Sequence, residues 1–209
     1  MFAGLGLSAA QAADGTRAHA RRAESKVVSP EAIEAIGLVT YDTGTNAGFH
    51  PDATTGNLNR VVGNRFNSAL GGPLLMTGMV TRLTVFPANS GVQSVSIAGT
   101  PNTMNSAMVL DYLTANMMAG TFNQVTVAPP VAVGADFLGL FLGTFTATQA
   151  AGLLGMSDMA VNAQGYHAVE GFYLGGNTTM ITTVANRNAM LRAFGDILTP
   201  VELMDFKIQ

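Results

Sequence analysis

From Ser29 onward the chain breaks into short runs rich in Val, Thr, Phe and Leu, separated by Gly, Pro and Asn at intervals of about ten residues. Runs of that length and composition predict a β-sandwich or barrel rather than a helical protein. The predicted strands are Leu38–Tyr41, Arg60–Phe66, Met79–Phe86, Val92–Ile97, Ala107–Leu110, Phe122–Val127, Phe137–Phe145, Gly165–Tyr173, Ala189–Asp196 and Val201–Ile208. In Thr81–Val85, Leu83 and Val85 share one face and Arg82 and Thr84 the other, the period of two of a half-buried strand. Pro101 and the pair Pro129-Pro130 fall between runs, where a missing N–H breaks no ladder. Ten strands imply two sheets, with Leu83 and Phe141 in the core between them.

Helical signals are few. Ser29 can cap a short helix over Pro30–Ile36, with Pro30 at its first position, Glu31 complementing the dipole and Gly37 ending it. A single further turn is predicted around Gln149–Leu154. The run from Phe137 to Ser157 has 21 residues without a charge and contains Gly139 and Gly143 at a small-xxx-small spacing, so a membrane helix competes with a strand there. Three Thr, Gln149, Gly152 and Gly155 within the run favour the strand. Phe137–Phe145 is therefore expected to be a central strand, apolar on both faces.

Composition changes the picture in one respect. Of 209 residues, 48% are hydrophobic and only 11% charged, with 22 Thr and 14 Asn but two Lys, Lys26 and Lys207. Such a chain is long enough for one well-buried core and is neither disordered nor a coiled coil. A surface made soluble by hydroxyls and amides carries little repulsion and favours adhesive or assembling proteins.

Charge is unevenly placed. Residues 1–28 hold Arg17, Arg21, Arg22 and Lys26 against Asp14 and Glu24, a net +2, whereas residues 29–209 carry six basic and eleven acidic groups, a net −5. The acidic body argues against nucleic acid as a partner. The apolar run Phe2–Ala10 followed by Ala10-Gln11-Ala12 is consistent with the remains of an export signal. The domain reading is accordingly an export remnant and basic arm over residues 1–28 and a single β-sandwich over 29–209. On an isolated monomer, Ala13–Ser29 has too little apolar surface to offset its ordering entropy, so order there together with Met1–Ala12 would imply another surface that accepts the arm, most simply a neighbouring copy of the chain.

Candidate chemistry is sparse. Gly4, Gly6 and Ala9 have a GxGxxA spacing, but no strand precedes them and no βαβ unit follows. With no Cys, and with His19, His50 and His167 as the only imidazoles, no metal-ligand spacing is met and no cofactor is called for. No Ser lies in a GxSxG elbow, so pairing His167 with Asp158, or His50 with Asp52, has no motif behind it. The loop Asp42–Asn59 gathers Asp42, Asn46, His50, Asp52 and Asn57, an oxygen-rich set suited to calcium. The EF-hand order fails, because Gly44 replaces an oxygen ligand and Ala47 the turn glycine, and an Ω-like loop built from turn formers is the expectation.

The stretch YDTGTNAGFHPD with RVVGNRFNSALGGPLLMTGMVTRLTVF, between Tyr41 and Phe86, resembles the opening of a class of bacterial secreted β-sandwich modules. The segment FNQVTVAPPVAVGADFLGLF and the closing RAFGDILTPVELMDFKI are similar to the later strands and Pro-Val-Glu-Leu tail of such proteins. The resemblance implies export and a jelly-roll-like fold, and transfers no catalytic residue. Taken together, the expectation is an all-β, two-sheet antiparallel, jelly-roll-like sandwich with one short N-terminal helix, exported and without a transmembrane span. It acts as a non-catalytic structural or adhesive module that meets copies of itself or cell-surface glycans and proteins. Two alternatives stand beside it: a self-assembling subunit of a filament, layer or capsid that uses the arm, and a secreted hydrolase.

Overall fold

The computed structural model describes residues 21–29, 39–45, 48–49, 60–67, 72–83, 91–142, 155–157, 165–174 and 176–198. Among them the regular structure is entirely β. The predicted helix over Pro30–Ile36, the turn at Gln149–Leu154 and the strand Val201–Ile208 lie outside the described residues.

Two main sheets share the strands. The larger runs β1 (Arg21–Arg22), β7 (Ala107–Met117), β12 (Asn177–Thr183), β11 (Ala168–Leu174), β4 (Arg60–Phe66), β9 (Phe137–Leu142) and β6 (Gly91–Ala98). The smaller runs β14 (Leu191–Ile197), β5 (Leu74–Arg82), β8 (Phe122–Val133) and β2 (Ser25–Val28). A minor sheet joins β13 (Asn188–Ala189), β10 (Gly155–Ser157) and β3 (Gly48–Phe49). All ladders are antiparallel except β1 on β7.

The larger sheet closes on itself, because β7 pairs with β6 along most of its length and with β12 at Ala107 and Met108. Closure leaves two apolar compartments. Inside the ring lie Val61, Leu138, Leu140, Val169, Tyr173 and Ile181, and there Tyr112 stacks on Tyr173 with centroids 5.3 Å apart. Burial, reinforced by Tyr112, raises the Tyr173 phenol above the ordinary tyrosine range. The second compartment lies between the two sheets and takes Val62, Phe66, Met79, Leu83, Val95, Leu113, Phe141 and Leu191. Strands β4, β6 and β9 serve both compartments, one through each face. That is why all six residues of β9 are buried, and why its uncharged sequence is that of a doubly covered strand. Leu83 and Phe141 are both in the core, as the alternation predicts.

Several boundaries differ from the pattern. Strand β5 starts at Leu74 instead of Met79, since Leu74 and Met76 face the core directly after Pro73. Strand β8 continues past Pro129-Pro130 to Val133. Between the partners Gly78↔Thr126 and Met76↔Val131 the β8 chain bulges outward, so the prolines lack an N–H where no ladder bond is made. The Leu38–Tyr41 strand is reduced to one bridge, Val39 to Ala193 at the edge of β14.

The basic segment finds its partners on its own chain over residues 21–28. Arg21 and Arg22 run parallel to Leu113 and Thr114, and Ser25–Val28 pairs with Phe122–Val125. Arg21 is ion-paired with Asp111 and also donates to the carbonyls of Ala128 and Pro129 in the β8 bulge. These contacts tie the segment to both sheets, so the missing stabilisation expected from a neighbouring copy is supplied within the chain. Residues 1–20 lie outside the described residues.

Candidate functional site

The sequence candidates separate in the structure. His50, Asp52, Asn46, Asn57, Asp158 and His19 lie outside the described residues, whereas Asp42 and His167 are placed in the fold on either side of Tyr41. His167 is 8% exposed, and its ring stacks on Tyr41 at 3.8 Å. Tyr41 in turn stacks on Phe66, and Phe66 on Phe137, which makes an aromatic column from β9 to the Asp42 turn. Two buried asparagines that the sequence pattern did not single out organise this region. Asn188 accepts from the His167 backbone N–H and donates to the carbonyls of Tyr41 and Gly165. Asn64 accepts from the Ala189 N–H and donates to the carbonyls of Ala189 and Leu191. Each amide replaces ladder bonds that these crossing segments lack.

Asp42 is buried and held on all sides. Its carboxylate receives Nε and Nη2 of Arg192 at 2.9 and 2.6 Å, the Gly44 N–H at 2.8 Å and the Thr40 hydroxyl at 3.3 Å. The Gly44 contact is an Asx turn, so the residue that looked like a calcium oxygen closes a tight turn and neutralises a guanidinium. Among the described residues no group of three His, Asp or Glu stands close enough to hold a metal ion.

Beyond Arg192 the outer face of the smaller sheet carries the other polar feature. Alternation along β14 and β5 sends Leu191, Ala193 and Met79 inward and Arg192, Val80 and Arg82 outward. Arg82 faces Phe122 on β8, and Phe122 faces Val28 on β2, in one row across the sheet. The Phe122 ring is thus flanked by two guanidinium groups, Arg192 at 4.7 Å and Arg82 at 5.7 Å from its centroid. Arg192 is neutralised by Asp42. The Arg82 guanidinium has no carboxylate partner among the described residues, and its one hydrogen-bonding contact there is the Met190 sulfur at 3.8 Å. The row opens into a groove of about 370 Å³ between the end of β2, Gly44 and the turn at Gly120-Thr121.

Comparison of the chain with protein-family models, curated proteins and solved structures finds no match.

Proposed function

We propose that the protein is an exported, non-catalytic β-sandwich module that acts by binding at a cell surface or in the extracellular space. Jelly-roll-like connectivity, the short Pro30–Ile36 helix and kinship with the bacterial secreted modules that Tyr41–Phe86 resembles belong to the same reading. The observation that carries it is how the charges are used. The pairs Arg21–Asp111, Arg60–Glu170, Arg65–Asp136 and Arg192–Asp42 each join segments far apart in sequence. Asp136 holds the Arg65 guanidinium above its ordinary range through their hydrogen bonds. Eight of the fourteen charged side chains among the described residues are thus engaged in fastening strands, a use that supports a role in contact rather than in proton transfer. Binding of the purified protein to a glycan array and to intact bacterial envelopes tests the reading. Saturable binding to at least one surface component is expected, and absence of binding to every component contradicts it.

A second reading has its own observation. Strands β1 and β2 are two and four residues long, and β2 forms the outer edge of the smaller sheet with two of its four residues exposed. A strand so placed can be supplied by another copy of the same chain, which would make the protein a self-assembling subunit of a filament or layer.

A further inference from the structure

We infer that the groove beside Arg82 binds a carboxylate carried on a sugar ring, as in the uronic acid units of an acidic polysaccharide. The inference deepens the surface-binding reading by naming a ligand class for one site, and it rests on that reading only for the ligand's biological setting.

Among the described residues Arg82 is the single charged side chain that lines the groove, and it is partly buried. A guanidinium has five N–H donors in a planar fork. Here a thioether sulfur, a weak acceptor, is the one hydrogen-bonding contact those donors make among the described residues. The ring of Phe122 lies against one side of the group, its centroid 5.7 Å from the guanidinium carbon, and the groove opens beside it. Arg192 lies across the same ring, but its charge is cancelled by Asp42, and no acidic side chain among the described residues lines the groove. The net field at the floor is therefore that of one cation, with the geometry that pairs two parallel N–H bonds with a carboxylate.

The walls restrict what carries the carboxylate. Val27 and Val28 contribute aliphatic groups to the lining, Ser29 and Thr121 bring hydroxyl-bearing side chains, and Gly44 and Gly120 line it with backbone alone. Both glycines have positive φ, 76° and 79°, so the turns that open the groove at its two ends depend on them. A volume of about 370 Å³ exceeds a bare carboxylate and accommodates a hexose-sized ring. Such a ring has CH faces for the valines and hydroxyl edges for Ser29 and Thr121.

The test is titration of the full chain with D-glucuronate, followed by amide chemical shifts, with D-glucose and acetate as the other arms. Glucuronate is expected to bind, with shifts centred on Gly44, Thr121 and Phe122. Glucose is expected not to bind measurably, and acetate to bind more weakly than glucuronate. Arg82→Gln should weaken glucuronate binding by about tenfold or more, the scale of a lost bidentate charged pair, and Arg82→Lys should restore part of it. Shifts centred elsewhere, equal binding of glucose, or an Arg82→Gln variant that is folded and binds unchanged would overturn the site. Acetate binding as tight as glucuronate would overturn the sugar acid as its ligand. A protein that fails here and still binds an envelope component retains the surface-binding reading; one that takes glucuronate and binds no surface keeps the site and loses that reading.

Discussion

Replacement of Phe141 by Ala is expected to lower the unfolding free energy by about 3–5 kcal/mol, measured by urea denaturation of the native protein. Phe141 is completely buried and sits one residue from the end of β9, directly opposite Val62 on β4 and Val95 on β6. Its ring belongs to the compartment between the sheets, while Leu140 and Leu142 on either side belong to the compartment inside the closed sheet. Collapse into the vacated space would need β9 to shift in both compartments at once. The surroundings therefore relax little, and the cost falls at the upper part of the range for deleted core side chains. A loss below about 1 kcal/mol would show that the ring is not packed between the two sheets.

A loss of similar size is expected from Asp42→Asn, and a much smaller one when Asp42→Leu is combined with Arg192→Met. The side chains of Asp42 and Arg192 are 0% and 8% exposed, and the guanidinium is pressed against the Phe122 ring. Removing the carboxylate charge alone strands a buried cation, for which about 3–5 kcal/mol is typical, whereas replacing both partners by apolar groups of similar volume is often close to neutral. A double-mutant cycle by chemical denaturation reads the coupling directly. Independent, additive effects of the two substitutions would mean that the pair does not hold the Tyr41 turn to β14.

The parts of the fold that were legible are those whose burial is decided by local alternation. Arg60–Phe66 is a strand between the same two residues in the sequence pattern and in the structure, and Phe122 and Phe137 open strands as expected. Strand β12 was not legible. Its sequence NTTMITT is mostly polar, and Met180 at φ 54° breaks the period of two, so Thr178 and Ile181 point inward three residues apart instead of two. Strands β1 and β2 read as a solvated basic linker because their order comes from β7 and β8, whose paired residues lie more than ninety positions away. Pattern reading has no access to such partners. The same holds for the site. Asp42 is visible as an oxygen in a turn-forming loop, but its partner Arg192 is 150 residues distant, and the Val39–Ala193 bridge and the Asn188–Tyr41 hydrogen bond bring the two together. The closure of the larger sheet was likewise hidden, since it depends on β7 being long enough to meet β6 and β12 on different parts of its length.

The two readings of function differ over whose sheet the strand Ser25–Val28 completes, and hydrogen exchange measured over a dilution series decides that point. If the segment belongs to its own chain, as the Arg21–Asp111 pair and the ladder with Phe122–Val125 place it, amide protection over residues 25–28 will not change with protein concentration. Protection that fades on dilution, together with a fall in sedimenting mass, would show that the strand comes from a neighbouring copy and that the protein is an assembling subunit.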